Sequence, residues 1–120
     1  MTQVTAKEAF AFHKATGCPL AQATDRLMEM DPLLRERVLA AASIQPRRSR
    51  LLRDPTEADP DTAEFVQTAA KEAEAIVAAR GPLRRGSCHA IWSEQARILT
   101  EKHGLAWFSP QQMNPGVLFD

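Results

Sequence analysis

The chain has 120 residues, enough for one domain with a real core and no need of a metal or disulfide staple. Hydrophobic residues make up 44% and charged residues 25%, which excludes wholesale disorder. The 15 basic groups equal the 15 acidic ones, so no global charge calls for nucleic acid or a membrane surface.

Ala and Leu dominate the apolar set, β-branched aliphatics are few and Tyr is absent, a mixture that favours helix over strand. In chain order, Thr5-Ala6-Lys7-Glu8 matches a capping box and predicts a first helix over residues 6–16, with Ala9, Phe10 and His13 on one face. Gly17 suits its left-handed end, and Pro19 opens a second helix carrying Leu20, Ala23, Leu27 and Met30. Asp31-Pro32 repeats the device, Asp as cap and Pro first in the helix, for a third helix reaching about Ser43. Leu34, Val38 and Ala42 line that helix, flanked by Leu39. The stretch ATGCPLAQATDRL resembles the helix-turn-helix of ubiquitin-associated-type three-helix modules, through Thr16, Gly17, Leu20, Ala23 and Leu27. The resemblance covers about 30 residues and brings no function with it.

Residues 45–58 read as a linker, rich in proline and charge, with Leu51 and Leu52 as its apolar point. Asp59-Pro60 predicts the start of the longest helix, striped by Phe65, Val66, Ala69, Ala73, Ile76 and Val77 and ending near Arg80 before Gly81-Pro82. A last helix is expected from Ser87, as its cap, to His103, with Cys88, Ile91, Trp92, Gln95, Ala96 and Leu99 in its stripe and Gly104 as its stop. The tail is crowded with Leu105, Trp107, Phe108, Met113, Val117, Leu118 and Phe119, and it is too apolar to hang free in water. Ser109-Pro110-Gln111-Gln112 can cap one helical turn, and Asn114-Pro115-Gly116 is a turn.

Charge is unevenly placed. Residues 1–53 carry nine basic and five acidic groups, residues 54–74 one and seven, and residues 75–120 five and three. The acidic middle is expected to lie against basic neighbours. Two cysteines are too few for a disulfide scaffold, no basic and apolar leader opens the chain, and no stretch nears the run of about 20 apolar residues that crosses a bilayer. These features predict a cytoplasmic protein with reduced thiols and no membrane partner. High Ala and Arg usage points to a GC-rich bacterial or phage genome.

Chemistry has one focus, Cys88-His89. A thiol in a first helical turn, near Arg84 and Arg85, is favoured as thiolate. Adjacent helical residues point about 100° apart, however, so His89 is badly placed to serve Cys88 as a base. His13, Cys18, Cys88, His89 and His103 form no short-spaced ligand pair, which argues against a structural zinc site. Asp54, Glu57, Asp59 and Asp61 cluster in a polar loop with nothing to mark a catalytic pocket. No phosphate-binding or dinucleotide fingerprint is present. Arg47, Arg48, Arg50 and Arg53, with Arg84 and Arg85, could meet phosphate or an acidic partner, because a guanidinium fork binds two oxygens at once.

The reading is an all-α fold of about five helices in one domain: a compact three-helix unit over residues 1–44, the linker, then a longer antiparallel pair and a docked irregular tail over residues 59–120. Elimination leaves a non-enzymatic protein-binding module without metal or cofactor: an adaptor, an inhibitor or immunity-type protein, or an assembly subunit. Its partner would be another protein or a second copy, met through Trp107, Phe108, Met113, Leu118 and Phe119, although the large tail groups can equally finish the chain's own core, and the two roles are compatible. A nucleic-acid-associated regulator using the arginines ranks second, and a thiol enzyme at Cys88 third.

Overall fold

The computed structural model describes residues 3–45 and 51–119, which are helical with no strand. Six helices run α1 Ala6–Thr16, α2 Leu20–Glu29, α3 Pro32–Ile44, α4 Ala63–Arg80, α5 Ser87–His103 and α6 Pro110–Met113, with a 3₁₀ turn at Pro55–Glu57 between α3 and α4. The expected five helices and the single capped turn in the tail are therefore present. The molecule is elongated, 46 × 31 × 28 Å.

Local signals account for most boundaries. Thr5 Oγ1 accepts from Glu8 N at 3.1 Å and Glu8 Oε1 accepts from Thr5 N at 2.9 Å, so two otherwise orphaned N–H groups are satisfied. Gly17 ends α1 at φ 76°, a left-handed conformation open to glycine at little cost. Three starts differ from expectation. Pro19 occupies the cap of α2 rather than its first position, and the helix begins at Leu20. Gly86, not Ser87, occupies the cap of α5, and Ser87 Oγ instead accepts from Arg84 N at 2.8 Å in the preceding turn. Asp59 starts a turn, its carbonyl accepting from Ala63 N at 2.8 Å, but regular helix begins only at Ala63.

Two apolar clusters form the interior. Ala9, Phe12, Ala23, Leu27, Val38 and Ala41 of α1–α3 are closed by Leu52 from the connector and Met113 from the tail. Val66, Ala69, Ala73, Ile98 and Leu99 of the α4–α5 hairpin are closed by Trp107 from the tail. The inward face of α1 is thus Ala9 and Phe12. Phe10 and Phe12 point about 200° apart, so burying Phe12 turns Phe10 outward, where it is 50% exposed. Phe65 is likewise exposed rather than part of the α4 stripe, and stacks on His103 at 4.2 Å.

The connector and the tail join the clusters through two buried polar side chains. Asp54, 1% exposed, accepts from Arg37 Nη1 at 2.9 Å, Thr56 N and Oγ1 at 3.0 Å, and Phe108 N at 2.9 Å. Arg37 Nη1 also donates to the Ala106 carbonyl at 2.9 Å. Asn114 Oδ1 accepts from Leu52 N at 2.7 Å, while its Nδ2 donates to the Leu52 carbonyl at 2.8 Å and the Pro110 carbonyl at 2.7 Å. The acidic middle segment does meet a basic neighbour, Arg37 of α3, with the Asp54 side chain fully buried and that of Arg37 20% exposed. A buried charge is tolerated only when paired and hydrogen-bonded, and Asp54 meets both conditions.

Candidate functional site

The tail was expected to carry the partner anchors. Its capping box, Ser109 with Gln112, folds α6 and drives Met113 into the α1–α3 core at 0% exposure. Trp107 is 5% exposed, its Nε1 donating to Glu57 Oε2 at 3.1 Å. These two residues are corrected from partner anchors to core, because each closes an apolar cluster that its own helices leave open. Phe108 is half-buried beneath the Arg37 guanidinium, 5.9 Å from the ring centre. Phe119 is half-buried edge-on to Trp92 at 5.3 Å, its carbonyl accepting from His89 Nε2 at 2.6 Å. Leu118 alone of the five stands out, at 96% exposure.

His89 is occupied with the tail rather than with Cys88: its Nδ1 lies 2.9 Å from Gln111 Oε1 and its ring is edge-on to Trp92 at 5.7 Å. Cys88 and Cys18 are free, half-buried thiols. His13 Nδ1 donates to the Cys18 carbonyl at 2.7 Å, which fixes the α1–α2 turn. Among the described residues no group of three or more His, Cys, Asp or Glu could hold a metal ion, and no helix is long and apolar enough to cross a membrane.

Arg47, Arg48 and Arg50 lie outside the described residues. Arg53 is committed to Glu57, Nη1 to Oε1 at 3.1 Å, while Arg84 and Arg85 belong to the α4–α5 turn. The described arginines come from two separate segments.

A different surface stands out. Between α1 and α3 runs a groove of about 340 Å³, with Phe10, Ala11, Ala15 and Ala42 as its apolar lining and Lys7 and Lys14 on the same helix face. Positions 7, 10, 11 and 14 share one side of a helix by their three-and-four spacing. Lys14 Nζ sits 5.4 Å from the centre of the Phe10 ring, and Phe10 also meets the His13 ring at 6.1 Å. Neither lysine has an ion-pair partner among the described residues. Ile44, next to the Ser43 that lines the groove, is 64% exposed. The signal for this face is lysine, phenylalanine and lysine at helical spacing, and it is masked in the sequence because an apolar Phe10 fits the inward stripe of α1 as well as the outer face.

Comparison with protein-family models, with characterised proteins and with solved structures finds no match to this chain.

Proposed function

We propose that the chain is a non-enzymatic protein-binding module that acts from the α1–α3 groove on an acidic, amphipathic helical segment of a cytoplasmic partner. The observation that carries this reading is an exposed phenylalanine set between two unpaired lysines over an apolar groove. An apolar helix edge fills such a groove, and its flanking carboxylates meet Lys7 and Lys14, giving both affinity and orientation.

A labelled synthetic helix with Leu at three-and-four spacing and Glu on its flanks provides the test, with a Lys-flanked version of the same helix as control. The Glu form should bind the full chain, more weakly as salt rises, since exposed charges are screened within about 10 Å at ordinary ionic strength. Phe10→Asp should abolish binding without lowering the melting temperature. Equal binding of the two helices, or binding indifferent to Phe10→Asp, would sink the reading.

A further inference from the structure

A second site lies where the tail returns to α5, and it does not depend on the groove. The base of the tail is fixed: Met113 is fully buried, and Asn114 is tied to Leu52 and Pro110 through three hydrogen bonds. Beyond it, Arg26 Nη1 donates to the Pro115 carbonyl and Phe119 docks on α5, but between these points Val117 is 40% exposed and Leu118 is 96% exposed. A segment with so little buried surface belongs to the least stable part of a fold and opens far more often than the core.

What Phe119 docks on has the form of a peptide site. The Phe119 ring stands edge-on to the Trp92 indole, 5.3 Å between centres, an arrangement that aromatic pairs favour. His89 Nε2 donates to the Phe119 carbonyl at 2.6 Å, so the second contact is to main chain. His89 is itself steadied by Gln111, whose Oε1 lies 2.9 Å from Nδ1. Beside this contact a cavity of about 340 Å³ opens between α5 and α6, with Trp92, Ser93 and Ala96 on one side and Gln111 and Gln112 on the other. Phe119 does not line the cavity, so the tail fills only part of the site. Among the described residues the lining carries no Asp, Glu, Lys or Arg, so a ligand here needs no charge.

We infer that His89 and Trp92 form a docking site for an extended partner segment bearing an aromatic side chain, and that the chain's own tail fills this site until such a segment takes its place. The resident tail names the chemistry: an aromatic ring against Trp92 and a main-chain carbonyl on His89. A tail tethered a few residues from Asn114 competes at an effective concentration on the order of millimolar. A displacing segment therefore needs contacts that the tail lacks, and the adjoining cavity supplies room for them.

The test uses the full chain labelled with ¹⁵N and reads the Trp92 indole Nε1–H, with the Trp107 indole, which donates to Glu57, as internal control. The probe is the acetylated and amidated peptide NPGVLF, residues 114–119, which is neutral and carries the ring seated in the site. Phe119→Ala opens the site. In that variant the peptide should shift the Trp92 resonance, leave Trp107 in place and saturate at about millimolar concentration. The same peptide with alanine for its phenylalanine should not bind. The parent protein should bind the peptide about fivefold more weakly, because its own tail competes. Gly116→Ala, which strains the tail at φ 89°, should fall between the two and keeps the test open should Phe119→Ala not fold. Phe10→Asp should change nothing, which separates this site from the groove. No Trp92 shift up to the solubility limit, equal binding of the alanine peptide, or equal binding by the parent and both tail variants would each overturn the assignment. So would a parent dimer in size-exclusion chromatography that Phe119→Ala dissolves, since the tail would then be seated on a second copy.

Discussion

The two halves of this molecule are finished in opposite ways. The α4–α5 hairpin uses its surface charge on itself: Arg80 pairs with Glu94 at 2.9 Å, Arg97 with Glu94 at 2.8 Å and with Glu101 at 2.7 Å, and Lys102 with Glu72 at 2.9 Å. The α1–α3 unit leaves Lys7, Lys14, Phe10 and Ile44 facing out. Inside, the contrast runs the same way. The α1–α3 core takes Leu52 and Met113 from distant chain, whereas the only buried residue in the hairpin's cluster that its own two helices do not supply is Trp107, among the described residues. The difference teaches that charge used within the hairpin contributes to its stability, whereas the α1 lysines can be substituted without breaking any ion pair among the described residues.

The largest effect is expected at the joint. Asp54→Ala takes the carboxylate from the Arg37 guanidinium, whose side chain is 20% exposed, and the acceptor from the Phe108 N–H, and breaking a pair buried on one side costs toward the lower end of about 3–5 kcal/mol. Urea unfolding followed at tryptophan and by far-UV circular dichroism measures the loss. Both tryptophans report on the hairpin side, so non-coincident transitions in the variant would show that Asp54 couples the two units. A loss below about 1 kcal/mol would make the joint incidental.

Met113→Ala comes next, at about 2–5 kcal/mol, because its side chain is fully buried and leaves a cavity. Hydrogen exchange should speed up in α1–α3 more than in α4–α5. Equal acceleration in both would show one cooperative core and erase the contrast. Gly116→Ala follows at about 1–2 kcal/mol, since φ is 89° there and a Cβ would lie 2.6 Å from Arg26 Nη1. Arg26 Nη1 holds the Pro115 carbonyl at 3.0 Å, so the loss should appear as faster exchange in the last residues of the tail.

Much of this was legible in the sequence, where the cause is local. The Thr5 capping box, Gly17 and the Ser109 box each act within a few residues and placed their helix ends well. Asp54 was not legible: its partners are Arg37, 17 positions away, and Phe108, 54 positions away, and no local pattern distinguishes it from Asp59 or Asp61. Tail aromatics could be foreseen as docked, but whether a docked residue fills the chain's own core or faces a partner depends on the volume that α1–α3 leave open. Phe10 and Phe12 flank a single alanine, and a short amphipathic helix with two phenylalanines does not declare which one turns in.

The smallest effect is also the sharpest probe of the self-paired face. Hydrogen bonds from Arg80, and then from Arg97, hold the Glu94 carboxyl below its ordinary value of 4.5. A carboxyl whose folded pKa is depressed stabilises the fold above its unfolded pKa, and that contribution fades as pH falls from about 4.5 through the lower folded value. Glu94→Gln should therefore lower the melting temperature slightly at neutral pH and converge with the parent protein below that window. High salt should shrink the neutral-pH difference, since exposed pairs are screened. The double variant Lys7→Gln, Lys14→Gln removes charges that have no ion pair among the described residues. It should leave both the melting temperature and its acid dependence unchanged while weakening the acidic helix. A Glu94→Gln difference that grew on acidification would mean that the hairpin charges repel rather than bind. A loss of stability in the lysine variant would mean that the α1 face is paired after all, and the two halves would then be finished alike.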